Sequence, residues 1–173
     1  MDNNDLIHPL TDKYKRNPFF RLVAWWLRVT WLKRGQADTK AMREFITRLK
    51  NGGVMVIAPE GTRSKTASLL KAEPGAIYIA SMANVGIIPV ALTGTEDAEV
   101  VARLKRFQKL KITITTDGEM YVPPDIRSVK GAERDALLQN SIDEVMCRIA
   151  ALLPERYRGY YRDFPQVKEA SRK

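Results

Sequence analysis

Residues 54–58, Val-Met-Val-Ile-Ala, stand between Gly52-Gly53 and Pro59. A short apolar run bounded by glycine and proline reads as a buried strand. Ile87 to Thr93 reads as a second buried strand. Helical patterns alternate with these runs. Asp38 can cap a helix carrying Met42, Phe45, Ile46 and Leu49 at helical spacing, and Gly52-Gly53 ends it. Further helices are predicted over 74–84, 97–107 and 132–153, the last with Leu138, Ile142, Val145, Ile149 and Leu152 in one stripe before Pro154. Lys111 to Thr116 alternates like a strand with one wet face, and Asp117-Gly118 turns it into Glu119–Val122. Upstream, Asn17 and Pro18 open a predicted helix ending at Lys33. Residues 1–16 read as irregular, and 155–173 as a basic, tyrosine-rich tail with mobile last residues. Helices alternating with strands imply an α/β fold, a mixed sheet flanked by helices on both faces, in one domain over 1–173.

The charge narrows the partners. Lys and Arg number 29 against 20 Asp and Glu, a net +9 that draws anions: nucleic acid, lipid headgroups or phosphorylated substrates. No helix-turn-helix spacing, zinc-ligand set or aromatic RNA-binding signature accompanies it, which disfavours nucleic acid. One His and one Cys give no metal cluster. Gly61 stands alone, so no glycine-rich nucleotide loop is present. Cys147, the single cysteine, lies among apolar neighbours in a predicted helix and reads as a core residue. The opening MDNNDLIHPLTD is acidic and polar, unlike a signal peptide. The most apolar stretch, Phe19 to Leu32, is broken by Arg21 and Arg28 and falls short of the roughly 20 residues of a spanning helix.

The strand at 54–58 runs directly into Pro59-Glu60-Gly61-Thr62-Arg63-Ser64. Ligands of open α/β sheets bind beyond the carboxyl ends of strands. Gly61 permits close backbone approach, Thr62 and Ser64 offer hydroxyls and amides, and Arg63 offers a planar fork for phosphate. Lys65 and Lys71 add positive potential. The same residue types also make an ordinary solvated turn. Glu60 can orient Arg63 or hold the loop through backbone amides, rather than act as an acid or base.

These residues carry a resemblance. Pro59–Ser64 after an apolar strand resembles the third sequence block of the lysophosphatidate-type (glycerol-phosphate) acyltransferases, with Ala58 where that family usually has phenylalanine. Val85-Gly86-Ile87-Ile88-Pro89-Val90-Ala91-Leu92 resembles the fourth block, and Thr30–Arg34 the second. Lys71–Ala80 resembles the segment between blocks three and four, and Leu152–Gly159 resembles C-termini of bacterial members. The resemblance spans roughly residues 13–160 and implies a glycerol-phosphate acyltransferase-like fold. It implies that Glu60, Gly61, Thr62 and Arg63 line the acceptor's phosphate site, that Arg34 helps, and that Pro89 shapes the acyl-donor wall. The implied reaction moves a fatty acyl group from acyl-CoA or acyl-carrier protein to a lysophospholipid, with no other cofactor.

That reaction needs a base for the acceptor hydroxyl, which the family supplies in a histidine-x4-aspartate block. Here the one histidine, His8, has Asp12 four positions on, one short of that spacing. Only 52 positions separate His8 from Glu60, short by a strand-helix unit. The expectation is an N-terminally incomplete domain. The alternatives are a noncatalytic lipid-binding relative, or His8 and Asp12 as a rearranged pair. Phe19–Arg34, with three tryptophans and basic residues, suits either an anionic membrane surface or a core helix with snorkelling arginines. A peripheral place on the cytoplasmic face of the membrane follows from the first.

Overall fold

A computed structural model describes residues 5–11, 30–32, 39–62 and 64–170. In chain order these form β1 (Leu6–Ile7), β2 (Pro9–Thr11), β3 (Thr30–Leu32), α1 (Thr39–Lys50) and β4 (Val54–Met55). There follow α2 (Gly75–Ala83), β5 (Val90–Thr93), α3 (Asp97–Lys105), β6 (Thr113–Thr116) and α4 (Gly131–Leu152). Two 3-10 turns, Glu155–Tyr157 and Gly159–Tyr161, lead to α5 (Pro165–Ala170). The class is α/β with mixed pairing. β1 runs parallel to β4, β2 parallel to β3, and β5 antiparallel to β6.

The turn between α1 and β4 shows how the site strand is placed. Gly52 adopts φ 89° and reverses the chain. A Cβ on Gly53 would stand 2.9 Å from the Arg48 carbonyl oxygen, so the close approach needs glycine. Arg48 reaches over to Asp5 with a two-pronged ion pair, Nε to Oδ2 at 2.8 Å and Nη2 to Oδ1 at 2.6 Å. Val54 N–H then donates to the Asp5 carbonyl, and Val56 N–H to that of Ile7, at 2.9 and 3.1 Å. The helix end, the first strand and the site strand are thus fixed together.

Helix α2 joins two apolar clusters, which explains its nearly all-apolar sequence. Ile79 and Ala83 pack with Ile7, Ala41, Phe45 and Leu49. Ile77 packs with Ile142, Val145, Met146 and Tyr161 on α4 and the C-terminal segment. Its end is fixed by Asn84 in the left-handed region, φ 58° and ψ 49°. Cys147 is buried in the second cluster, and that burial pushes its thiol up to about 11. Iodoacetamide should therefore leave the native protein unlabelled and react only on unfolding, as followed by mass spectrometry across a urea series.

Four expectations are corrected. Residues 6–7 and 9–11 are strands rather than irregular, because Ile7 is fully buried against α1 and its ladder pairs with β4. Residues 30–32 are a strand, although the predicted helix ran to Lys33; β-favouring threonine and tryptophan there pair with β2. The rest of that helix, and with it most of the tryptophan-rich face, lies outside the described residues. The runs at 54–58 and 87–93 are not buried strands throughout. Pro89 and Ala91 are buried, while Val54, Val56, Ile88, Val90 and Leu92 are exposed. Among the described residues no helix covers that outer side. β6 is wet on both faces, with all four residues exposed. Among the described residues, no helix is long and apolar enough to cross a membrane.

Candidate phosphate-binding loop

The loop after β4 is braced from within. Gly61 N–H donates to the Ala58 carbonyl at 3.1 Å, closing a tight turn with Gly61 at φ 63°. Glu73 N–H donates to the Pro59 carbonyl at 2.9 Å and joins the two ends of the loop. The Glu60 carboxylate turns back and accepts Leu70 N–H at 2.8 Å. Ser64 Oγ accepts the N–H groups of Thr66 and Ser68, at 3.3 and 3.2 Å. That hydroxyl shapes the turn and is committed within the loop.

A second set of contacts comes from the C-terminal segment. Leu69 N–H donates to the Tyr157 carbonyl at 2.8 Å, and Tyr160 N–H to the Leu69 carbonyl at 2.9 Å. Ala72 N–H donates to Tyr161 Oη at 3.0 Å, and the same hydroxyl donates to Asp143 Oδ1 at 3.0 Å. Asp143 also accepts from Gln139 Nε2. Tyr157 Oη donates to Glu96, at the start of α3. The basic tail is therefore a folded clamp under the loop. Sequence reasoning missed this role for Tyr157, Gly159 and Tyr161. The one available signal was a glycine between tyrosines, which marks a close backbone approach.

Gly61 and Thr62 are left at the surface, and a Cβ on Gly61 would meet nothing within 4 Å. Thr62 hydrogen-bonds no other described residue. Lys65 and Lys71 are exposed on the same loop. The arrangement presents a glycine, a threonine and cations to solvent on a braced backbone, which suits an oxyanion. Arg63, Arg34 and Asp12 lie outside the described residues. His8 sits half-buried just past β1, and no described residue hydrogen-bonds or orients its ring. Pro89 is buried ahead of β5. Among the described residues, no group of three or more His, Cys, Asp or Glu side chains could hold a metal ion.

Glu60 is held as a loop brace. Burial raises its pKa, and the Leu70 N–H works against that shift. A carboxyl raised in the folded state favours folding below its unfolded pKa, and that contribution is lost as pH rises through the folded value. Glu60→Gln keeps an acceptor for Leu70 and removes the desolvated charge. It should match or exceed the native urea midpoint at neutral pH, whereas Glu60→Ala should lose about 1–3 kcal/mol by stranding the amide. Equal losses in both variants would mean the charge itself holds the loop.

Residues 2–93 match the family profile described as Acyltransferase. A 41-residue stretch is 51% identical to a 1-acyl-sn-glycerol-3-phosphate acyltransferase of Cocos nucifera, covering 24% of this chain and 13% of that protein. The chain thus spans a small part of that relative's length. Among solved structures, the 1-acyl-sn-glycerophosphate (LPA) acyltransferase PlsC of Thermotoga maritima aligns with 84% of this chain and 66% of its own, at 20% identity and a TM-score of 0.46. With more than half of its residues matched by the profile, the braced loop after β4 among them, the chain belongs to the acyltransferase family.

Proposed function

We propose that this chain carries the acceptor-phosphate site of a 1-acylglycerol-3-phosphate-type O-acyltransferase, acting peripherally at the cytoplasmic membrane face. The observation that carries the reading is the loop at 59–73, tied down at Pro59, Glu60 and Leu69 while Gly61 and Thr62 face solvent. A braced loop that presents the Thr62 hydroxyl and amide beside exposed lysines binds an anion without first losing its own freedom. Arg63 adds the bidentate fork, and Arg34 a second charge. Pro89 belongs to the acyl-donor wall by family resemblance. The acceptor hydroxyl would attack the thioester carbonyl of acyl-CoA or acyl-carrier protein, the carbon–sulfur bond would break, and the thiol would leave with the proton. A base must take that proton during attack.

One observation favours a second reading, a lipid-phosphate binder without turnover. In the sequence, His8 and Asp12 stand one position short of the histidine-x4-aspartate spacing that supplies the family's base and its orienting carboxylate. The test is acyl transfer from labelled acyl-CoA to lysophosphatidate, beside equilibrium binding of lysophosphatidate by the same preparation. Binding with transfer supports the enzyme, and binding alone supports the second reading. Absence of binding removes both.

A further inference from the structure

Helix α3 ends in a turn that strains its backbone and hides nothing. Gln108 N–H donates to the Arg103 carbonyl at 2.9 Å and Phe107 N–H to that of Leu104 at 3.1 Å. This closure places Phe107 at φ 53°, the position that glycine normally takes. An aromatic residue in that conformation is disfavoured unless something repays it. No described residue does, because Phe107 is 99% exposed. Leu104, Leu110 and Ile112, three to five positions away in the sequence, are exposed as well.

The charge around this tip is of one sign. From Val101 to Ile112 the sequence holds five Lys and Arg and no acidic residue. Lys105, Arg106, Lys109 and Lys111 are exposed, and none of their side chains forms an ion pair with another described residue. Nucleic acid would match the charge but offers little for Leu104, Leu110 and Ile112. An anionic bilayer matches both, with headgroups for the cations and an acyl boundary for the aromatic and aliphatic groups. The element is also tied to the candidate site. Glu96 at its start accepts from Tyr157, whose carbonyl holds Leu69.

We propose that the end of α3 and the turn after it, with Phe107 at the tip, dock onto an anionic lipid bilayer. Phe107→Gly makes the test sharp, because it relieves the backbone while removing the anchor. Co-sedimentation would use phosphatidylcholine vesicles with and without phosphatidylglycerol. The native chain should partition onto the anionic vesicles and be released by salt. Phe107→Gly should bind roughly tenfold more weakly while unfolding at the same or higher urea concentration. Neutralising Lys105, Lys109 and Lys111 together, each to Gln, should weaken binding by about a hundredfold. Native partition that neither variant changes would overturn the proposal, as would no partition at all. So would tighter binding to duplex DNA than to vesicles. Binding of lysophosphatidate below its micelle concentration, measured on the same variants, reports the loop independently. Vesicle binding without it would leave the bilayer contact standing and remove the acceptor reading.

Discussion

Gly159→Ala should lower stability by on the order of 2–4 kcal/mol and loosen the loop at 59–73 before the rest of the chain. Gly159 has φ 46°, and an added Cβ would lie 2.1 Å from the Leu69 carbonyl oxygen and 2.8 Å from its nitrogen. Both atoms are backbone, so no side chain can swing aside. Relief requires parting the 157–161 segment from the loop, which breaks the Tyr157–Leu69 and Leu69–Tyr160 hydrogen bonds together. Gly118→Ala supplies the control. Gly118 has φ 76° with nothing within 4 Å, so its variant meets conformational strain alone, about 1–2 kcal/mol. Urea midpoints give the two losses. Hydrogen exchange locates them: the amides of Leu69 and Ala72 should lose protection in Gly159→Ala, while those of α4 lose it only with global unfolding. Tyr161→Phe should loosen the Ala72 amide and take one donor from Asp143 while leaving the Leu69 amide protected, since it removes one hydroxyl and keeps the buried ring. Equal losses for Gly159→Ala and Gly118→Ala would show that the close approach carries no weight.

The clamp also shows where sequence reading stops. Local signals were sufficient for α1, α2 and α4. Each has apolar residues at helical spacing and a glycine, asparagine or proline at its end, and those forces act within a few residues. The strand that leads into the loop was legible for the same reason, through Gly52-Gly53 and Pro59. Residues 6–11 were not legible. Leu6-Ile7 is too short a run to announce itself, and it becomes a strand because β4, far along the chain, supplies its ladder. Burial at 54–58 and 87–93 was overread. An apolar run shows that a strand can be covered on both sides, but covering it takes another element. The candidate site divided similarly. The phosphate reading of Ala58–Ser64 rests on residue types in one short stretch. Its bracing by Tyr157, Gly159 and Tyr161 spans most of the chain, and no pattern in 155–161 states what those residues will touch. Ser64 shows a subtler limit. Its hydroxyl was read as available to a ligand, and the turn takes it for Thr66 and Ser68.

Arg63→Ala should weaken lysophosphatidate binding by roughly tenfold to hundredfold, the loss that accompanies one or two charge-assisted hydrogen bonds. The loop without Arg63 still presents Gly61, Thr62, Lys65 and Lys71. Residual binding should therefore persist, and it should be more sensitive to salt, because exposed lysines act as screened point charges. Arg63→Lys separates charge from geometry. It keeps the cation and loses the fork, so it should recover only part of the affinity. The dependence on pH follows from the ligand. A phosphate monoester gains its second charge near pH ~6, whereas arginine stays cationic throughout. Native affinity should rise as pH increases through that range, and the rise should shrink in Arg63→Ala. Glu60→Gln should leave that profile in place, because the carboxylate is spent on Leu70 N–H rather than on the ligand. Titration calorimetry across pH would separate the roles. A profile flattened by Glu60→Gln and untouched by Arg63→Ala would move the proton-linked group from the ligand to Glu60, and Arg63 would no longer be the phosphate's partner.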